Sequence, residues 1–172
     1  MGRPAMSRTP KFSGARVHLG RTVLDSDRHV PYFFTYISSK LSHGASQLYL
    51  KLFDIGITEW RIISVLAGTP DVTANQICLS LGLNKGAVSL SLQTLEEIKL
   101  ILLTQVKNDN RSKTIRLSSS GFALHDKIVV IALEREQVLL SALSVDEREA
   151  LIATMKKLRS AVAKVNSWKP TE

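Results

Sequence analysis

The sequence predicts a mainly α-helical fold carrying one small β-hairpin, and three observations support this. Apolar residues recur at three- and four-residue spacing along most of the 172 residues. That period gives way to strand-like composition only between Leu100 and Leu117. Breaks rich in Gly, Pro, Asn and Asp fall between the periodic stretches rather than inside them.

Residues 1–29 show neither period and carry Gly, Pro, Ser and Arg, so a flexible basic arm is expected. Such an arm is either a solvated tail or a grip on phosphate or the minor groove. Pro31 suits the first turn of a helix, and Phe34, Ile37, Leu41, Ala45, Leu48 and Leu52 follow on one face. This helix should end near Phe53, at Asp54-Ile55-Gly56. Thr58 is expected to cap a second helix that buries Trp60, Ile63 and Leu66.

Thr73 caps a third, short helix with Ile77, Cys78 and Leu81 inward, and Gly82 supplies a left-handed exit. Asn84 caps the next helix after almost no loop. There Val88, Leu92 and Leu95 are spaced for burial, and Lys85, Ser89 and Gln93 are left outside. Leu100 to Val106 and Ser112 to Leu117 read as strands around a tip, Lys-Asn-Asp-Asn-Arg. The hairpin concentrates Lys107, Arg111, Lys113 and Arg116 against Asp109. After Ser118-Ser119-Ser120-Gly121 a helix runs to about Leu143, with Ile128, Ile131 and Val138 among its apolar positions. Ser144 and Glu147 form a capping box for the last helix, whose Leu151, Met155, Leu158, Val162 and Val165 make a four-three-four-three seam.

Both terminal helices carry apolar stripes with little in the chain to cover them, which implies a helical dimerisation platform built from the two termini. The expected organisation is a basic arm at 1–29, a dimerisation helix at 30–56, a compact lobe at 57–118 and C-terminal dimerisation helices at 119–168.

Composition narrows the function. Hydrophobic content of 44% and 22% charged residues are ordinary for a globular domain. The 23 Lys and Arg against 15 Asp and Glu, a formal charge of +8, favour a polyanionic partner. Half of that excess lies in residues 1–30, where six basic residues face Asp25 and Asp27. The longest apolar run, Ile128 to Leu133, is too short for a bilayer, and a cytoplasmic protein is expected. Cys78 is the single cysteine. That excludes an intrachain disulfide and a thiolate zinc cluster, and its place on an apolar helix face suggests a buried, inert thiol. His18, His29, His43 and His125 have no metal-ligand spacing, so neither metal nor cofactor is expected. No phosphate loop, nucleophile elbow or carboxylate pair occurs, which argues against an enzyme.

Two short helices joined by LGLN resemble a helix-turn-helix, and the following basic hairpin completes a winged-helix order. From about residue 31 to 166 the chain resembles the MarR family of regulators. The stretches carrying the resemblance are EWRIISVLA at 59–67, VTANQICLSLGLNKGAVSLSLQTLEE at 72–97, DNR at 109–111 and LSSSG at 117–121. The resemblance implies a homodimer whose recognition helices read the half-sites of a pseudo-palindromic operator and whose wings touch DNA. It also implies control by a small effector, with the protein acting as a repressor that the effector releases. Asp109 and Arg111 match the family's wing motif, in which the acid orients the arginine. Leu90 and Thr94 stand where the family often has Arg, and Lys99 where it usually has Gly. Base reading then falls to Lys85, Ser89 and Gln93, with Leu90 limited to apolar contact such as a thymine methyl, and with Lys113 on the wing.

Tyr32, Tyr36, Ser39 and His43 share a face of the first helix, mixing aromatic surface with polar groups. Two roles fit it: dimer packing, or, with Arg61, one wall of an effector pocket suited to an aromatic acid or its derivative. The alternative from another class is a winged-helix module that joins a protein assembly without reading DNA.

Overall fold

The computed structural model describes residues 12–106 and 109–170, with side chains described outside 106–112. Lys107 and the side chains of Asp109 and Arg111 lie outside the described residues. The element order is β1 (Ala15–His18), β2 (Arg21–Leu24), α1 (Val30–Phe53), α2 (Ile57–Gly68), α3 (Ala74–Leu81), α4 (Lys85–Glu97), β3 (Ile101–Val106), β4 (Asp109–Leu117), α5 (Ser119–Leu140) and α6 (Val145–Ser167). It is mainly α-helical with an antiparallel β3–β4 wing, as the sequence predicts. Among the described residues no helix is long and apolar enough to cross a membrane.

The arm differs from expectation. Residues 15–24 form a two-stranded antiparallel hairpin rather than an irregular tail, with Ala15 opposite Leu24 and His18 opposite Arg21. Leu19 and Gly20 make the turn with φ of 48° and 72°. Positive φ at both central residues matches the twist of the flanking strands. A leucine there gives up roughly 1 to 2 kcal/mol, and so the turn carries none of the usual Asn-Gly or Asp-Gly signal.

Local capping accounts for most boundaries. Thr73 with Gln76 and Ser144 with Glu147 each form reciprocal capping boxes. The Asn84 side chain accepts from the Ala87 amide at 2.8 Å. Thr58, expected to cap α2, lies inside it: the helix starts at Ile57 behind Gly56, with no side-chain cap. Gly56 takes the N-cap place in extended backbone, and the Glu59 carboxylate folds back into the space that a Cβ at residue 56 would fill.

The core sits in the middle of the chain. Ile62, Ile63 and Leu66 of α2, Ile77 of α3, Val88 and Leu95 of α4 and Ile128 of α5 are fully enclosed. The Ile115 amide donates to the Val72 carbonyl at 2.8 Å and ties the wing to the start of α3. By contrast α6 has no buried residue.

Lys99 ends α4 in the left-handed region, with φ of 60°. The Ser118 and Ser120 hydroxyls both donate to its carbonyl, at 2.8 and 3.0 Å. A Cβ on Gly121 would strike the Leu100 carbonyl, so only glycine lets α5 approach this turn. Lys99 thus adopts the conformation usually given to glycine, held by the seryl clamp of the following helix.

Candidate nucleic-acid interface

The outer face of α4 is polar where the inner face is apolar. Val88, Ser91, Leu92 and Leu95 turn inward, whereas Lys85, Ser89, Leu90 and Gln93 are exposed. Leu90 is 68% exposed, a large apolar side chain held in solvent on an otherwise polar face. The Gln93 amide donates to the Glu97 carboxylate at 3.1 Å one turn on. Lys85 stands at the helix start, where the macrodipole adds positive potential, and Glu96 and Glu97 stand at its end.

A cleft of about 570 Å³ runs between α3 and α4, and Lys85, Ser89 and Gln93 all line it. Asn75, Cys78 and Glu96 complete the polar part of its wall. A second cleft of about 360 Å³ joins the start of α3 to the wing through Thr73, Asn75 and Lys113. Asn75 borders both. Nothing local in the sequence marks an asparagine in the first turn of α3 as facing both α4 and the wing. Cys78 is a buried free thiol at the floor of the first cleft.

On the wing, Lys113 is exposed and pairs with Gln105 across the sheet, next to the register shift at Gln105 and Val106. The backbone of Asp109 and Arg111 continues β4 to the tip. Arg116 is exposed on the same strand, nearer the lobe. Lys85, Ser89, Gln93 and Lys113 therefore lie along adjoining clefts, with Leu90 to one side.

A polar contact ties the inner face of α4 to α2. Ser91, 4% exposed, donates its hydroxyl to the Glu59 carboxylate of α2 at 2.6 Å. Among the described residues no buried side-chain donor or acceptor lacks a partner, and none of their His, Cys, Asp and Glu side chains cluster for a metal.

A separate cavity of about 230 Å³ lies between α1, α2 and α5. Leu41, Ser42 and Ala45 form one wall, Ile57 and Arg61 another, and Ala132, Arg135, Glu136 and Leu139 of α5 a third. Arg61 donates to the Ser42 hydroxyl at 2.7 Å. Arg135 crosses α1 at Gly44, its guanidinium 3.5 Å from the Leu41 carbonyl. Tyr32, Tyr36, Ser39 and His43 do not line this cavity. At about 100° per residue they lie on the side of α1 roughly opposite Leu41 and Ala45, with Ser42 on the flank between, and there the Lys40 ammonium sits 5.9 Å from the Tyr36 ring centre. One chain thus separates Arg61 from the other four residues of the expected effector face. Ser42 and Arg135 take the places beside it.

The MarR family model matches residues 53–112, the stretch from the end of α1 to the wing. A MarR/EmrR family transcriptional regulator from Acinetobacter sp. ADP1 superimposes with a TM-score of 0.76 at 37% identity, over 82% of this chain and 99% of that one. The chain belongs to the MarR family. MepR of S. aureus, solved as a complex with DNA, matches at 32% identity with a TM-score of 0.70, over 77% of this chain and 97% of its own. The transcriptional regulator PecS of Dickeya dadantii is 28% identical over 106 residues, and the match spans 64% of its length and 60% of this chain. MarR proteins are transcriptional regulators rather than enzymes, in keeping with the winged-helix order of α3, α4, β3 and β4.

Proposed function

We propose that this MarR protein is a cytoplasmic, homodimeric regulator that binds duplex DNA sequence-specifically and represses transcription until a small effector releases it. The observation that carries the reading is the junction at Asn75, where the cleft under α4 meets the cleft under the wing. A helix bearing Lys85, Ser89, Leu90 and Gln93 fits the major groove, while Lys113, with Asp109 and Arg111 farther out on β4, reaches the flanking backbone. MepR, solved with DNA, supports it.

Homodimerisation is supported by α6. Its seam from Leu151 to Val165 is 38% to 69% exposed at Leu151, Met155, Leu158, Val162 and Val165. Surface of that length and character is covered by a second copy in a two-fold assembly. For the effector, the α1–α2–α5 cavity is the better seat than the tyrosine face alone. Arg61 and Arg135 both line it, and among the described residues neither forms an ion pair with a carboxylate. Two guanidiniums against one carboxylate, Glu136, leave the largely apolar cavity a net cationic lining that suits an aromatic acid or its derivative.

The test is footprinting on the DNA upstream of the protein's own coding region, with and without aromatic carboxylates, and with affinity followed against salt. Protected paired half-sites and a steep salt slope are expected. Shallow, sequence-blind retention would instead favour a winged-helix protein-docking module.

A further inference from the structure

The large apolar residues of α4 divide unevenly between core and solvent. Val88, Leu92 and Leu95 are buried in the lobe, whereas Leu90 is 68% exposed. Leu90 belongs neither to the core nor to the partly buried residues packed against it, so the fold makes no use of its side chain.

Its neighbours one turn before and after on the same row are Gly86 and Thr94. The Thr94 hydroxyl donates to the Leu90 carbonyl at 3.2 Å, which spends its donor within the helix and leaves its methyl for apolar contact. At Gly86 the row carries no side chain. Outside its own turn of helix, and among the described residues, a Cβ there would touch only the Asn84 side-chain oxygen, at 3.4 Å. The lobe thus has room for a side chain at residue 86, and its absence lets the backbone at the start of α4 approach an outside surface closely.

Gln93 follows Leu90 by three residues, which makes the two side chains neighbours on the helix surface. Its Nε2 donates to the Glu97 carboxylate at 3.1 Å, a bond that steadies the amide and leaves Oε1 and one N–H for a partner. That acceptor and donor match the N6 amino group and N7 of adenine, and an apolar side chain matches the thymine methyl. Guanine calls for Arg or Lys, and the single cation of α4 is Lys85 in its first turn.

We propose that α4 reads A·T pairs in the major groove, with Leu90 seated on a thymine 5-methyl group, Thr94 beside it and Gln93 on a neighbouring adenine. This rests on the duplex-DNA reading above and narrows it to the base pairs recognised. Leu90 adjoins the Lys85, Ser89 and Gln93 row, so the apolar contact continues that interface. Glu96 and Glu97 repel phosphate at the far end of the helix, which assigns the closest approach to the turns carrying Gly86 and Leu90. A protein groove is the less suitable occupant, because one leucine among polar residues offers a small part of the ~1,200 Å² that a stable interface buries.

In the experiment the full chain selects duplexes from a random-sequence pool, and the enriched duplex is resynthesised with deoxyuridine replacing thymidine at one A·T pair at a time. Deoxyuridine keeps the hydrogen-bonding groups of thymidine and lacks only the methyl. The wild type is expected to bind about fourfold more weakly at one or more of these pairs, the worth of one buried methyl. L90A is expected to bind the thymidine and deoxyuridine duplexes equally at those pairs, with helical content and cooperative melting unchanged because Leu90 lies in solvent. Equal wild-type affinity for every duplex, or an enriched sequence without A·T pairs, overturns the methyl reading and leaves DNA recognition standing. A deoxyuridine loss that persists in full in L90A overturns the role of Leu90. A pool from which no sequence is enriched overturns the sequence-specific DNA reading and the A·T reading together.

Discussion

The Ser91 hydroxyl on the inner face of α4 donates to the Glu59 carboxylate of α2 across 2.6 Å, a polar tie between the helix that carries the exposed face and the lobe beneath it. Ser91 to Ala removes the donor and leaves a partly buried carboxylate short of a partner, at a cost of about 1 to 3 kcal/mol. In a double-mutant cycle with Glu59 to Ala, thermal unfolding should return a coupling of about 0.5 to 3 kcal/mol. Additive single effects would mean that the contact positions nothing.

Wing and recognition helix should fail differently. Lys113 to Ala should weaken binding to every duplex and reduce the salt slope by about 0.9, as expected for one lost phosphate contact. Arg111 to Ala should act in the same sense. Gln93 to Ala should instead relax preference at one base pair by about 1 to 3 kcal/mol, with the slope retained. Titrations against operator and scrambled duplexes separate these cases, and equal losses on both for Gln93 to Ala would take it off the base edges.

These assignments mark how far the sequence reaches. Capping at Thr73, Asn84 and Ser144 was legible because each motif is closed within four residues. Lys99 was legible only as a question, since its answer comes from Ser118 and Ser120 in another element. Asn75 and Arg135 escaped for the same reason: their importance lies in surfaces assembled from distant segments. The N-terminal hairpin escaped because its strands have four residues each and its turn uses Leu19. Thr58 looked like a cap, yet the helix starts at Ile57 behind Gly56.

The start of α6 should be acid-sensitive. Hydrogen bonding from the Ser144 backbone, then from its side chain, holds the Glu147 carboxyl below its ordinary value. A depressed folded-state value means that the cap stabilises the helix above the carboxylate range and loses this effect as pH falls through the folded value. Side-chain NMR titration should show the depressed Glu147 midpoint rise only part of the way toward normal in Ser144 to Ala, because the backbone donor remains. A midpoint unmoved by that change would discount the hydroxyl's share of the capping box.

The dimer prediction is direct. L158D/V162D places two charges on the α6 seam and should give monomers that bind an operator far more weakly, because two half-sites are no longer held together. Sedimentation decides it, and a monomeric wild type would end the homodimer reading.

The proposed control by effector should turn on Arg61 and Arg135, the two cations of the α1–α2–α5 cavity, which Glu136 also lines. An aromatic carboxylate bound there would bridge α1 to α2, and it would shift the DNA-binding equilibrium only by its differential affinity for the two arrangements. A coupling of about 1 to 3 kcal/mol would loosen operator binding by roughly five- to 150-fold. Arg135 to Gln should weaken ligand binding while leaving affinity for DNA intact in its absence, because Arg135 lies on α5, away from α4 and the wing. His43 to Ala serves as the discriminating control, since His43 faces the opposite side of α1. Calorimetry with DNA release followed in parallel reads both variants. If His43 to Ala abolishes binding and Arg135 to Gln does not, the ligand sits on the tyrosine face, and the cavity between α1, α2 and α5 is structural.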